Sequence, residues 1–271
     1  MTCAFTPLDS TPHRRHGWRK PEGYRFALAD AHAPVLLAEL SQVLSIYPLA
    51  FTPAPAGGYQ VVAVQGLHLG ENLFVDDAGR WRSTYIPSHY RAYPFALVQV
   101  RHEDRTLYML GFDQRSGLYR ETPDPQRKEE RFFDDQGDVT PWMKNMATFL
   151  TEIARNRDLT HAAVAALVAA KLLEPWELSP PDAASTGSPP AQLYRISAAA
   201  LKGLPGSVLE ILRDTQALDL AYAQLLSMPR VGTLHRLAQL HQARAATGVP
   251  DARVVQEFYD PDQSDTLHFN W

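Results

Sequence analysis

The chain has 271 residues, 45% hydrophobic and 21% charged, the proportions of an ordinary soluble fold long enough to bury a large core. Its net charge of −4 is concentrated at the end: Asp251, Glu257, Asp260, Asp262 and Asp265 stand against Arg253, which leaves 25 acids and 25 bases elsewhere. That balance gives no basic surplus of the kind nucleic-acid binding needs, a lone Cys3 precludes an intrachain disulfide, and no run approaches the about eighteen apolar residues of a membrane span.

Residues 1–22 read as a polar lead-in punctuated by Pro7, Pro12 and Pro21. Arg14, Arg15, Arg19 and Lys20 are followed by no apolar segment of signal-peptide length, so a cytoplasmic protein is expected. An export route without a leader would leave no mark here. Tyr24 to Leu28 alternates like a short strand, and Pro34 opens a helix with Leu36, Leu37, Leu40, Val43, Leu44 and Tyr47 on one face. Pro48 and the run LAFTPAP end that helix, and Gly57-Gly58 turns into a strand over Tyr59 to Val64. Asn72 to Val75 and Trp81 to Tyr85 flank Asp76-Asp77-Ala78-Gly79, a hairpin turn with a left-handed Gly. Phe95 to Val100 and Thr106 to Phe112 predict a second hairpin, and Phe132 to Gly137 reuses the turn chemistry of Phe74 to Gly79.

After Thr140 the period becomes helical. Pro141 suits a first helical position, and Trp142, Met143, Met146, Phe149, Leu150 and Ile153 form a stripe. Asp158 or Thr160 can cap a second helix running into HAAVAALVAAKLL. A Pro/Ser-rich loop over residues 179–190 precedes a strand at Leu193 to Ile196. Helices follow at Ser197 to Leu201, Gly206 to Met228 with a break near Thr215, and Thr233 to Ala246. The expected fold class is α+β: a mostly antiparallel β unit with one early helix (residues 23–138), a mostly helical unit (139–248) and an acidic tail (249–271).

An ordered set of short motifs runs through the chain: IYPLAF (46–51), LGENLFVDDAGRW (69–81), YIP (85–87), YRAYPF (90–95), FFDDQG (132–137), KLLEPWEL (171–178) and AYAQLLSM (221–228). In this order they resemble the bacterial SapC family associated with surface layers, over roughly residues 24 to 240. The family more often reads YPIVF and RRYPF where this chain has YPLAF and RAYPF, so Ala92 removes one Arg of a pair. The resemblance implies a fold unit and no catalytic residue. Its genomic context, beside flavin-dependent tryptophan halogenases and outer-membrane receptors, implies accessory work with a protein or peptide partner, either such a halogenase or a surface-layer protein.

The segment from Gly66 to Phe95 holds the candidate binding residues. Asn72 can donate and accept, Arg82 and Arg91 can hold a carboxylate or phosphate, and Trp81, Tyr85 and Tyr93 offer flat apolar faces with polar tips. The same residues can instead serve tight turns and a core. Nucleophile elbow, Walker loop and dinucleotide fingerprint are absent; His13 and His16 have i, i+3 spacing but lie in a Pro-rich basic lead-in without nearby carboxylates, and His235 and His241, six apart, fall on different helix faces. No cofactor or metal is therefore expected. A winged-helix order in the second half offers only Lys171 as a fixed cation on its would-be recognition helix. The leading expectation is a non-catalytic binding or adaptor protein for a peptide, protein or small acid. An enzyme with its site on the same segment and on His89, or a structural part of a surface layer, stands as the alternative. An enclosed pocket joining a His or carboxylate to Asn72 or Arg82 would favour catalysis; a shallow aromatic groove would favour binding. The ending TLHFNW, with Trp271 last, is either a plain tail or a recognition tag.

Overall fold

The computed structural model describes residues 5–102, 105–178 and 192–247. The strands are β1 (Phe5–Pro7), β2 (Gly17–Arg19), β3 (His32–Pro34), β4 (Leu49–Pro53), β5 (Tyr59–Val64), β6 (Phe95–His102), β7 (Arg105–Asp113), β8 (Tyr119–Arg120), β9 (Glu129–Arg131), β10 (Leu173–Pro175) and β11 (Tyr194–Ile196). The helices are α1 (Ser10–His13), α2 (Leu40–Val43), α3 (Ser88–Arg91), α4 (Pro141–Ala169), α5 (Ala198–Lys202), α6 (Gly206–Asp214), α7 (Ala217–Ser227) and α8 (Val231–Thr247). Antiparallel sheets of order β1-β7-β6, β8-β2-β9 and β10-β11-β4-β5-β3 make this an α+β fold, with helices dominating its C-terminal part. Among the described residues no helix is long and apolar enough to cross a membrane.

Where the signal is local, the structure follows it. The β6–β7 hairpin pairs without a slip from Phe95 and Phe112 to His102 and Arg105. The two Asp-x-x-Gly turns are one device used twice. The Asp76 N–H donates to the Arg80 carbonyl (3.0 Å), the Asp76 carboxylate accepts the Arg80 N–H (2.7 Å), and Gly79 closes the turn. Asp134, Asp138 and Gly137 repeat those bonds, with Gly79 and Gly137 at φ of 85° and 93°. The strands flanking the first turn meet only at a Val75–Trp81 bridge rather than as a full hairpin. The reason is Asn72, whose side chain takes the Phe74 N–H (3.0 Å) and so removes a donor the ladder would need.

Elsewhere tertiary packing overrides the local signal. Tyr24 to Leu28, read as a strand, holds a 3-10 turn at Arg25–Ala27. The helix expected from Pro34 shrinks to a 3-10 turn at Leu37–Glu39 and the single-turn α2. Its expected terminator, LAFTP, is instead β4, buried from Leu49 to Thr52 between β5 and β11. The lead-in also contributes structure, since Leu8 and Trp18 are buried in a core cluster. The loop over 179–190 and the tail ending at Trp271 lie outside the described residues.

One helix replaces the two expected after Thr140. α4 runs 29 residues with Pro141 in its first turn. Thr160, read as a cap, is interior: its hydroxyl donates to the Asn156 carbonyl (2.7 Å) and accepts the Leu37 N–H (3.0 Å). The winged-helix order therefore fails, because its hairpin follows a single long helix and β11 is captured by β4. The N-terminal half of α4 packs Met143, Leu150 and Ile153 against Trp18, Phe95, Phe112 and Phe132. Its C-terminal half packs Ala163, Val164 and Leu167 with β4, β5 and α7.

The motif AYAQLLSM has a physical reading in α7. Gln224 is fully buried; its Oε1 accepts the Ile196 N–H (2.9 Å) and its Nε2 donates to the Leu49 carbonyl (3.2 Å). Ser227 accepts the Leu49 N–H (2.8 Å). One helix face thus satisfies both backbone groups of Leu49 and ties β4 to β11 where their pairing is a single residue pair. Gln224→Leu should cost about 3 kcal/mol by orphaning two buried backbone groups, read as a lowered urea midpoint. A loss below about 0.5 kcal/mol would mean the clasp carries no stability.

Candidate functional site

The segment from Gly66 to Phe95 is organised by a carboxyl group that sits outside it. Glu39 is 5% exposed. Its Oε1 accepts from the Tyr85 hydroxyl (2.7 Å) and the Ser88 N–H (2.7 Å). Its Oε2 accepts from the Ser88 hydroxyl (2.8 Å) and the Leu36 N–H (3.1 Å). The Arg91 guanidinium lies 3.9 Å from Oε1 and also donates to the Tyr85 hydroxyl (3.1 Å). Both Glu39 oxygens act only as acceptors, a role that a carboxylate fills and an amide does not. Arg91 rests over the Tyr85 and Phe149 rings (5.3 and 5.2 Å) while remaining 42% exposed, so it links α3 to α4.

A second network meets the first at Tyr85. The Trp81 indole N–H donates to the hydroxyls of Tyr47 and Ser83 (both 2.9 Å). Those two hydroxyls donate in turn to the Tyr85 carbonyl (2.6 and 3.0 Å). Burial, opposed by the Ser83 and Trp81 bonds, pushes the Tyr47 phenol up from 10.0 to about 12. Burial and then the Glu39 bond raise Tyr85, and burial and then Asp30 raise Tyr90.

From Trp81 an aromatic series leads outward. Its ring lies 5.2 Å from Tyr24 and 5.1 Å from Tyr90, Tyr24 lies 5.9 Å from Phe26, and Phe26 stacks on Tyr93 at 4.1 Å with a 23° tilt. Phe26 and Tyr93 line a half-open cleft of about 490 Å³, whose other walls include Pro21, Glu22, Gly23, Arg25, Ala78 and Leu118. Arg25 is held on the rim by donating to the Asp77 carbonyl (2.8 Å), and Gly23 faces the Gly79 carbonyl so closely that a Cβ would sit 2.6 Å from it. The turn at Asp76 therefore builds one wall of the cleft.

The predicted residues fall into three groups. Trp81, Tyr85 and Arg91 belong to the two joined networks. Tyr93 alone lines the cleft. Asn72 and Arg82 brace backbone: Asn72 donates to the Ala27 carbonyl (3.0 Å), and Arg82 donates to the Leu73 carbonyl (3.3 Å). His89 interacts with Asp30, outside the cleft lining. Burial lowers the His89 imidazole, with Asp30 opposing, and burial raises the Asp30 carboxyl, with His89 opposing. Sequence reading missed Glu39 and Ser88, whose partners are up to 49 positions apart. It also missed Phe26 and Arg25, which sit in the segment read as a strand. Nothing in the sequence around Glu39 marks it as buried.

A model of the SapC family matches residues 8–234. No curated protein and no solved structure matches the chain.

Glu39→Gln should lower stability by about 2–4 kcal/mol in urea denaturation, since its amide N–H₂ would face donors already aimed at the carboxylate. An unchanged midpoint would remove Glu39 from its organising role. Tyr47, Tyr85 and Tyr90 all have folded-state values above the ordinary 10.0. Their contribution is therefore fully present below about pH 10 and declines as pH rises, because the unfolded chain releases protons the folded chain retains. Ultraviolet titration should show these phenols ionising late, together with loss of the far-ultraviolet circular dichroism. Early, reversible ionisation of every tyrosine in the folded protein would contradict their burial.

Proposed function

The chain belongs to the SapC family, and from that premise we propose that it is a non-catalytic binding or adaptor protein, recognising a short peptide or small aromatic acid beside Tyr93. The observation that carries this reading is the half-open cleft with a stacked Phe26–Tyr93 pair in its lining and Arg25 at its rim. A stacked aromatic wall offers a ring or aliphatic side chain a flat surface, and a guanidinium beside it suits a carboxylate. The Glu39 and Trp81 networks supply the rigidity: they fix α3 and the Tyr85 region, from which the chain runs directly to Tyr93. Neither His89 nor Asp30 lines the cleft, where the one carboxylate among the described residues is Glu22. That separation favours recognition over turnover.

Titration of ¹⁵N-labelled protein with N-acetyl-tryptophan tests the reading. Amide signals of Gly23, Arg25, Phe26, Ala78, Tyr93 and Leu118 should shift together, and Tyr93→Ala should weaken the binding about tenfold. N-acetyl-tryptophan amide, which lacks the carboxylate, should bind more weakly than the acid. No coordinated shift at concentrations up to about 10 mM, or shifts confined to other surfaces, would reject the cleft as the site.

A further inference from the structure

The sheet β1-β7-β6 ends on an edge unlike the others. The outer strands β1, β3, β8, β9 and β10 have two or three residues each, whereas β6 has eight. Short edges resist pairing with other chains; a long regular one invites it. β6 carries no proline, and its register with β7 shows no bulge.

The direction of its backbone groups follows from two bonds. The Asp113 N–H donates to the Pro94 carbonyl (2.9 Å), which continues the β6–β7 register by one pair. In an antiparallel ladder hydrogen-bonded pairs alternate, so Ala96, Val98 and Val100 face β7 and Leu97, Gln99 and Arg101 turn their N–H and C=O groups outward. The Leu8 N–H confirms the phase: it donates to the carbonyl of Leu110 (2.8 Å), the residue opposite Leu97, on the far side of β7. Among the described residues no hydrogen bond meets the outward groups of Leu97, Gln99 and Arg101.

On the exposed end of this edge the Gln99 side chain donates to the Tyr108 hydroxyl across the hairpin (2.8 Å), while the apolar side chains divide between two faces. Phe95, Leu97, Leu110 and Phe112 form the face that packs on the core. The opposite face carries Phe5, Ala96, Val98, Val100, Leu107 and Met109, none of which belongs to a core cluster, and Leu107 is 46% exposed. A sheet with one solvated face ordinarily presents polar residues there, so this apolar face calls for an occupant.

We propose that β6 is a self-association edge, at which a second copy of this chain pairs antiparallel about a two-fold axis through Gln99. In that register all three outward residues of each strand are used, giving about six hydrogen bonds between copies. Gln99 opposes Gln99 of the other copy, and Leu97 opposes Arg101. Val98 of one copy lies beside Val100 of the other, so the apolar row continues across the axis. Charge favours this occupant: the strand's one lysine or arginine, Arg101, meets Leu97 and never its own counterpart. The same contacts repeat on both sides, as a two-fold interface requires. The contact lies at the small end of stable interfaces, so its dissociation constant falls in the micromolar range or above.

Sedimentation equilibrium of the full chain from about 5 to about 500 µM tests this. The wild type should show a monomer–dimer equilibrium. Gln99→Pro removes an N–H that β7 does not use, which an edge strand tolerates, and should weaken dimerisation by about thirtyfold or more. Gln99→Lys and Gln99→Glu change an exposed side chain and should each weaken it about fivefold by placing like charges on the axis. An equimolar mixture of those two variants should recover a dimer at least as tight as the wild type. A wild type that stays monomeric throughout overturns the proposal. So does a dimer that all three variants leave intact, which would place the interface elsewhere, or a Lys/Glu mixture no tighter than either variant alone.

Discussion

A buried carboxylate sets the geometry of the central part of this protein. Glu39 gathers a backbone N–H from its own turn, a backbone N–H and hydroxyl from Ser88, and the Tyr85 phenol, with Arg91 as its distant counter-charge. Desolvating a carboxylate is costly, and the cost is offset only when its lone pairs are filled with good geometry. The demand is thus transmitted outward: the chain from Tyr85 to Arg91 must lie where its donors reach Glu39. Trp81, Tyr47 and Ser83 then hold the Tyr85 carbonyl from the other side. Tyr93 and its cleft inherit their position from that constraint.

This division of labour explains why the aromatic segment reads ambiguously in the sequence. Asn72, Trp81 and Tyr85 have the composition of a binding surface, yet their polar tips are spent on internal partners. Tyr93 adds a ring that stacks on Phe26 at the wall of an open space. The segment is best understood as a scaffold that delivers one aromatic side chain to a cleft. Most of that cleft is contributed by residues before and after the segment, among them Pro21, Arg25, Phe26 and Leu118.

What could be read from the string was what short-range chemistry decides. The hairpin at β6–β7, the two Asp-x-x-Gly turns, the break between α6 and α7 at Gln216 (φ 58°) and the start of α4 at Pro141 all depend on residues close in sequence. The misreadings occur where distant groups settle a local ambiguity. Thr160 has the chemistry of a helix cap, but an N–H from Leu37 gives its hydroxyl a use inside the helix. Leu49 to Phe51 is a continuous apolar run, and such a run fits a buried strand as well as a helix end until its neighbours are known. Glu39 was invisible for the same reason, since its donors at Tyr85 and Ser88 lie more than forty positions away.

The undivided length of α4 has a consequence for how the sequence can change. A helix of 29 residues spans about 43 Å, and one continuous stripe on it meets an aromatic core at one end and the β4–β5–α7 core at the other. Each added or deleted residue turns everything beyond it by about 100°. A single-residue insertion between Ile153 and Thr160 would therefore leave one core seated and swing the apolar stripe of the other toward solvent. Loops in this protein can absorb changes in length; the middle of α4 behaves as a fixed ruler, where side chains can vary but the count cannot.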